Sequence, residues 1–188
     1  YISMEFIDGP SVKQLIESQG RLNYRYVVFI VGQVCKGLDF AHSHRIIHRD
    51  IKPGNIMLTS KKVAKIVDFG LARVIEEVRR EYTVASGTPY YMSPEQTLGE
   101  ELDHRTDIYS LGVTTYEMLA GEPPFTGGDV GYHHVHTPPP PPSSREPSIP
   151  AELERIIMKC LAKNPAERFQ SMDEVFEELR KVTKILKV

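Results

Sequence analysis

The stretch His48-Arg49-Asp50-Ile51-Lys52-Pro53-Gly54-Asn55 places an acid, a base and an amide within eight residues. Pro53 and Gly54 interrupt both helices and strands, so the polar side chains are expected on a loop. Apolar residues flank this loop, with Ile46-Ile47 before it and the strand-like Ile56-Met57-Leu58 after it. Because it is held at both ends and carries these groups, the loop is a candidate for catalysis.

A second polar motif, Asp68-Phe69-Gly70, follows the first after an interval that predicts a β-hairpin. Residues 55–59 and 63–67 have the composition of short strands, and Ser60-Lys61-Lys62 lies between them as a turn. The interval between Asp50 and Asp68 fits two such strands and their turn. A third motif, Ser93-Pro94-Glu95, comes later in the chain.

In this order, the three motifs resemble the catalytic loop, the metal-binding D-F-G and the closing A-P-E of the activation segment of protein kinases. Serine in place of alanine at position 93 is the one departure from the last pattern. Lys52 is typical of the serine/threonine branch rather than the tyrosine branch. The amino-acid sequence of residues 87–96 is similar to the corresponding segment of the bacterial-type serine/threonine kinases.

The resemblance implies a role for each polar residue of the two loops. Asp50 would orient the attacking hydroxyl group and receive its proton, and Lys52 would offset the charge of the phosphoryl group during its transfer. Asn55 and Asp68 would hold Mg²⁺ against the phosphates of ATP. The implied substrates are proteins that present serine or threonine.

The resemblance also assigns the activation segment, residues 68–95, which is rich in charge and lacks a sustained hydrophobic period. From the residues alone this charge run reads as a solvated surface. In the family, the arginine before the catalytic aspartate receives a phosphate carried by the activation segment, which here would join Arg49 to Thr83 or Ser86. Thr88 would contact the substrate.

Residues 1–9 are predicted to be a strand that ends in a turn. They resemble the last strand and the hinge that join the two lobes of a kinase, whereas the residues alone also fit an ordinary edge strand. By the resemblance, Met4 is the gatekeeper of the adenine pocket, the backbone at Glu5 and Ile7 meets the adenine edge, and Met57 also contacts ATP.

Five residues are given structural roles by the resemblance. His48 and Phe69 are expected to pack in the core rather than to touch the substrate. Asp107 would accept hydrogen bonds from backbone amides of the catalytic loop, although taken alone it could be an exposed helical acid. Glu95 would pair with Arg168, for which a surface ion pair is the alternative.

Hydrophobic periodicity predicts a mainly α fold with about six helices and two short β-hairpins that carry the active-site loops. The clearest helical patterns are at 12–18, 24–44, 103–121, 150–161 and 172–186. Together with the resemblance, this predicts the C-terminal lobe of a protein kinase over residues 10–188, with the N-terminal lobe absent from this chain.

Composition limits the remaining possibilities. The chain has 188 residues, of which 40% are hydrophobic and 26% are charged, and this predicts one globular domain. A net charge of −2 does not indicate nucleic-acid binding, and no apolar run approaches the length of a membrane span. Cys35 and Cys160 lie in apolar helical segments, which favours buried reduced thiols and a cytoplasmic location.

Histidines raise the question of a metal site, but their arrangement does not favour one. His42 and His44 lie two residues apart and face different sides of a helix. His133, His134 and His136 have no cysteine or carboxylate at ligand spacing.

Three functions are compatible with these observations. The first is the C-lobe of an active kinase. Alone, this lobe would transfer no phosphate, and it would associate, for example as a homodimer, through the apolar side chains Ile7, Met57 and Phe69, which the N-terminal lobe would otherwise cover. The second is a pseudokinase-like scaffold, against which Asp50, Asn55 and Asp68 argue. The third is a small-molecule phosphotransferase. The motifs Gly87-Thr88-Pro89 and Ser93-Pro94-Glu95 argue against it, because they resemble a segment that binds a peptide substrate.

Overall fold

The computed structural model describes residues 5–69 and 89–186. In these ranges the chain forms seven α-helices and two β-strands. They are α1 (Val12–Gln19), α2 (Tyr24–Ser43), β1 (Ile56–Leu58), β2 (Ala64–Ile66), α3 (Pro94–Leu98), α4 (Arg105–Ala120), α5 (Val130–His136), α6 (Ala151–Cys160) and α7 (Met172–Leu186). Short 3-10 helices lie at Pro53–Asn55, Pro142–Ser144 and Pro165–Glu167.

The helices begin and end where local sequence signals place them. Ser11 accepts a hydrogen bond from the backbone N–H of Gln14 and forms a capping box at the start of α1, and Gly20, with φ 76°, ends this helix. Asn23 caps α2 in the same way. The predicted helices at 12–18 and 24–44 are therefore confirmed to within one residue at each end.

Helix α4 lies at the centre of the fold and is buried on every face. Helix α6 packs on one side of it and α2 on another, while α7 packs against α2. Gly112 of α4 allows α6 to approach closely, because a Cβ atom at this position would lie 2.8 Å from the Cβ of Cys160. Cys35 and Cys160 are buried free thiols, as predicted.

Strands β1 and β2 form one antiparallel hairpin, with Ile56 opposite Ile66 and Leu58 opposite Ala64. The prediction of two hairpins is wrong for residues 5–69 and 89–186, where this hairpin is the only sheet. In the described residues one hairpin positions both polar loops, because the loop at 48–55 ends at β1 and the loop that contains Asp68 begins after β2.

Three further expectations are corrected in detail. Residues 5–9, predicted to be the end of a strand and the turn that follows it, contain no strand, and Gly9 lies in a bend. Helix α4 begins at Arg105, two residues later than the predicted start at 103, and its N-cap is His104. Asp103 accepts a hydrogen bond from the backbone N–H of Arg105 at 2.8 Å. Two short helices, α3 and α5, lie outside the five predicted ranges and bring the number in the described residues to seven. The capping box of α3 joins Ser93 to Gln96.

None of the helices described in residues 5–69 and 89–186 is both long and apolar enough to cross a membrane.

Candidate active site

The backbone of the polar loop at 48–55 is held from below by Asp107 near the start of α4. The side chain of Asp107 is fully buried, and it accepts hydrogen bonds from the backbone N–H groups of His48 at 2.9 Å and Arg49 at 2.7 Å. Arg49 has φ 68°, an uncommon left-handed conformation, and its carbonyl accepts a hydrogen bond from Gln96 at 2.8 Å. The backbone that leads into Asp50 is thus constrained on both sides.

His42 completes this anchor, and sequence reasoning missed it. Its Nε2 atom lies 2.7 Å from Oδ2 of Asp107, and both side chains are buried. The buried carboxylate therefore has three partners, two backbone amides and one imidazole, which offset its loss of water. The sequence carried no local signal for this contact, because the two residues are separated by 65 positions.

His48 connects the polar loop at 48–55 to Val67, the residue that follows β2. Its Nε2 lies 2.9 Å from the carbonyl oxygen of Val67, and its Nδ1 accepts a hydrogen bond from the backbone N–H of Asp50 at 3.3 Å. Since a carbonyl can only accept, the ring hydrogen is on Nε2. The His48 ring is buried and lies edge to face against the Phe69 ring, with 4.6 Å between the ring centroids. His48 therefore packs in the core as expected, whereas Phe69 is 40% exposed, so the expectation that Phe69 also packs in the core is wrong.

Asp50 presents a carboxylate at the surface of this scaffold. Its Oδ2 atom accepts hydrogen bonds from Nζ of Lys52 at 2.6 Å and from Nδ2 of Asn55 at 3.0 Å. The Asp50 side chain is 45% exposed and that of Lys52 is 38% exposed. A carboxylate that is oriented by two neighbours and still accessible can accept a proton from a bound hydroxyl group.

Asn55 and Asp68 supply the oxygen atoms that could hold a metal ion. Nδ2 of Asn55 donates to both the carbonyl and the carboxylate of Asp50, so its Oδ1 faces away from Asp50. Asp68 is exposed and has φ 65°. Mg²⁺ prefers such hard oxygen ligands and completes its shell with water and phosphate oxygens. In the described ranges, no group of three or more His, Cys, Asp or Glu residues is placed to hold a metal ion.

The segment expected to be a hinge lies against β1. A Cβ atom on Gly9 would come within 1.8 Å of the carbonyl oxygen of Leu58, so only glycine allows this approach. Ile7 is half-buried. The carboxylate of Glu5 lies 3.3 Å from Nζ of Lys65, and Lys65 lies opposite Met57 in the hairpin. Met4, Thr83, Ser86 and Thr88 lie outside the described residues.

Glu95 and Arg168 form the predicted pair, and the pair is buried rather than on the surface. The guanidinium donates to both carboxylate oxygens, at 2.7 Å and 2.8 Å. Thr106 adds a hydrogen bond to the carboxylate at 2.8 Å. Burial opposes ionisation of Glu95, but the hydrogen bonds and charge of Arg168 outweigh it and lower the pKa of Glu95.

Tyr91 attaches the segment before α3 to the central helix, a contact that sequence reasoning did not identify. Its hydroxyl donates to Glu117 at 2.6 Å, and its carbonyl accepts from Ser110 at 2.8 Å. Burial raises the pKa of Glu117 and also that of Tyr91. The charge of Asp50 contributes to the raised pKa of Tyr91, because the two residues lie in the same neighbourhood.

The family described as protein kinase domain matches residues 1–179. The chain is 40% identical over 188 residues to the serine/threonine-protein kinase PknB of Mycobacterium tuberculosis and 42% identical over 188 residues to PknB of Mycolicibacterium smegmatis. It is 38% identical over 186 residues to a probable serine/threonine-protein kinase of Clostridium acetobutylicum.

These three alignments cover 97% of the present chain. They cover 30% of each PknB and 28% of the clostridial protein, so the chain spans less than a third of the length of these relatives.

Proposed function

The chain belongs to the protein kinase family, and from this premise we propose that it carries the catalytic and metal-binding loops of a serine/threonine protein kinase. The reaction is transfer of the γ-phosphoryl group of ATP to a serine or threonine hydroxyl of a protein substrate. We assign residues 10–188 to the C-terminal lobe and residues 1–9 to the hinge. The mainly helical architecture of residues 5–69 and 89–186, with its two-stranded sheet, supports this assignment.

One observation carries the proposal: an accessible carboxylate is oriented by a lysine and an asparagine on a loop whose backbone is fixed from the core. Asp50 has its Oδ2 atom 2.6 Å from Lys52 and 3.0 Å from Asn55. The loop cannot relax freely, because Asp107 holds the two residues before Asp50. Phosphoryl transfer depends chiefly on such positioning and on electrostatic stabilisation.

In the proposed mechanism, Asp50 accepts a hydrogen bond from the substrate hydroxyl and takes its proton as the hydroxyl oxygen bonds to the γ-phosphorus of ATP. The bond between that phosphorus and the oxygen bridging to the β-phosphate breaks, and ADP leaves with the bridging oxygen. Lys52 places a positive charge beside the same carboxylate, where it offsets the negative charge of the transferred group. Asn55 and Asp68 would hold Mg²⁺, which when bound neutralises charge on the phosphates of ATP.

Several site assignments accompany this proposal. Met4, Glu5, Ile7 and Met57 are assigned to the ATP site, Glu5 and Ile7 through their backbone. Thr83 and Ser86 are assigned as phosphorylation sites whose phosphate group Arg49 would bind, and Thr88 is assigned as a substrate contact. A cytoplasmic location is proposed, and the two buried free thiols support it.

The proposed function is tested by the Asp50→Asn substitution in the full-length protein that contains this chain. With ATP, Mg²⁺ and a serine/threonine peptide library, the wild type should transfer labelled phosphate. Asp50→Asn should lower kcat by about 100-fold or more, because general-base assistance is typically worth about 100- to 10,000-fold. Asp173→Asn, at an exposed position on α7, is the control and should retain activity. A wild type that neither binds ATP nor transfers phosphate would favour the scaffold function.

For the 188-residue chain alone, we propose negligible transfer and association with itself. The printed sequence has no G-x-G-x-x-G loop to cover the phosphates. Ile7 and Met57 are partly exposed and Phe69 is 40% exposed, so apolar surface is available for association. Light scattering and a radiolabelled assay on the purified chain test both statements; a monomer contradicts the second, and robust transfer contradicts the first.

A further inference from the structure

His134, in helix α5, is fully buried in a polar cluster that the proposed mechanism does not use. Its Nε2 atom lies 3.0 Å from the carbonyl oxygen of Tyr90, and its Nδ1 atom lies 2.8 Å from the hydroxyl oxygen of Tyr109. The ring also meets the rings of Phe125 and Tyr109 edge to face. His134 therefore joins three separate parts of the chain.

The partners of His134 determine its tautomer. The Tyr90 carbonyl can only accept, so the hydrogen is on Nε2 and the Nδ1 lone pair accepts from the Tyr109 hydroxyl. Nζ of Lys163 uses its three hydrogens on the Tyr109 hydroxyl at 3.4 Å and on the carbonyls of His133 and His134 at 3.1 Å and 2.7 Å. Burial and the charge of Lys163 lower the pKa of His134 to about 4, which keeps the ring neutral near pH 7.

Tyr90 belongs to the short segment Pro89-Tyr90-Tyr91-Met92, which is held at two consecutive carbonyls. His134 of α5 donates to the carbonyl of Tyr90, and Ser110 of α4 donates to that of Tyr91. Two buried side chains on different helices thus fix the path of this backbone. A hydrogen bond of 3.3 Å from Met92 N–H to the Pro89 carbonyl closes the turn.

This segment borders the catalytic loop. The capping residue Gln96, at the start of α3, donates a hydrogen bond of 2.8 Å to the carbonyl of Arg49, directly before Asp50. Tyr91 lies close enough to Asp50 for the charge of the carboxylate to affect its pKa, after burial and Glu117. A peptide whose hydroxyl reaches Asp50 would therefore pass along the segment at 89–92.

Given the proposed function, we propose that His134 is a positioning residue for the protein substrate. By donating to the Tyr90 carbonyl, it holds segment 89–92 in the shape against which the peptide around the accepting hydroxyl lies. His134 touches neither the nucleotide residues nor Asp50, so its loss should affect peptide use and leave ATP use unchanged.

The test is steady-state kinetics on the full-length protein, with a peptide that the wild type phosphorylates, chosen from a serine/threonine peptide array. His134→Phe keeps a ring but removes both hydrogen bonds, and should raise the peptide KM about 3- to 10-fold, the effect of one lost hydrogen bond. The KM for ATP should stay unchanged. His134→Gln should restore most of the peptide KM, because its side-chain amide can donate to the Tyr90 carbonyl.

Two further variants complete the design. His136→Phe, at an exposed position of the same helix, is the matched control and should behave as the wild type. Tyr109→Phe removes the donor that orients the ring and should raise the peptide KM in the same direction, by a smaller factor. It provides the measurement if His134→Phe does not fold.

The outcomes separate this inference from the proposed function. Wild-type protein without phosphotransfer overturns the proposed function, and the inference with it. An active wild type whose peptide KM is unchanged in His134→Phe and Tyr109→Phe overturns the inference alone. A rise of both KM values together with a lower melting temperature, without rescue by His134→Gln, shows a merely structural role and also overturns it.

Discussion

Arg168 is the largest of the fully buried side chains in the described part of the molecule. Its guanidinium has five N–H groups, and each has an acceptor. Two bind Glu95, and the others bind the carbonyls of Ala162, Arg105 and Lys163. The guanidinium also lies 4.9 Å from the centre of the Tyr109 ring. A buried charge is tolerated here because its hydrogen-bonding capacity is filled.

Arg168→Ala should therefore strand the Glu95 carboxylate in the interior. We expect the free energy of unfolding to fall by about 3 to 5 kcal/mol, the usual cost of removing one member of a buried pair. Urea denaturation followed by circular dichroism measures this loss. The control is Arg180→Ala, which removes a half-exposed pair with Glu177 and should cost less than about 1 kcal/mol. Equal losses of the free energy of unfolding in the two variants would contradict the prediction that the buried pair stabilises the protein more than the half-exposed pair.

At the scale of elements, the start of α4 positions the polar loop at 48–55, because Asp107 accepts hydrogen bonds from the backbone N–H groups of His48 and Arg49. Asp107→Asn would keep the size of the side chain but replace one accepting oxygen with a donor. The amides of His48 and Arg49 would then compete for one acceptor. Hydrogen bonds to a charged group are worth about 1.5 to 3 kcal/mol, so exchange of these two amides should become about 10- to 100-fold faster.

Hydrogen exchange by NMR measures this effect directly. The amide of Thr59, bonded to the Val63 carbonyl in the hairpin turn, serves as an internal control and should keep its rate. Unchanged protection at His48 and Arg49 would mean that the loop holds its shape without the carboxylate.

The contact between α4 and α6 depends on Gly112. Alanine normally stabilises a helix interior relative to glycine, by about 0.5 to 1 kcal/mol. At Gly112, however, the added Cβ would lie 2.8 Å from the Cβ of Cys160 and 3.1 Å from Cδ2 of Leu161. We expect Gly112→Ala to lower the free energy of unfolding by about 1 to 3 kcal/mol, because overpacking outweighs propensity.

Gly32 of α2 provides the matched control. A Cβ at this position would meet Phe176 at 3.6 Å, an ordinary contact, so Gly32→Ala should leave stability equal or slightly higher. Chemical denaturation of both variants distinguishes the two environments. A stabilising effect of Gly112→Ala would show that α6 can shift without cost.

For the whole molecule, His134 makes stability depend on pH. Its pKa is lowered to about 4 in the folded protein, against an ordinary value of 6.5. Above pH 6.5 the ring is neutral in both states, and stability is complete. Between pH 6.5 and about 4 the unfolded chain binds a proton that the folded chain does not, so stability falls with falling pH, by at most about 1.4 kcal/mol per pH unit for this one proton.

Carboxylates also titrate in part of this range, so the wild type is compared with His134→Gln. The variant should lose less stability between pH 7 and pH 5 in urea titrations at each pH. His136→Gln, which changes an exposed histidine, should retain the wild-type dependence. Parallel curves for the wild type and His134→Gln would contradict the prediction.

The sequence by itself determined the features that depend on near neighbours. The periodic apolar positions of residues 24–44 and 172–186 predicted α2 and α7, because a helix repeats its buried face every three to four residues. Ser11 and Gly20 marked the ends of α1. The order of the motifs around Asp50 and Asp68 indicated the family that the comparisons then showed.

Only the tertiary structure decided which distant side chains meet. His42 and Asp107 are 65 positions apart, and His134 and Tyr90 are 44 apart, so no local pattern distinguishes these histidines from their neighbours. The tertiary structure also decided that, within the described residues, one hairpin carries both polar loops. Hydrogen-bond partners at such separations are set by how the helices pack around α4, since only packing fixes which buried groups must satisfy one another.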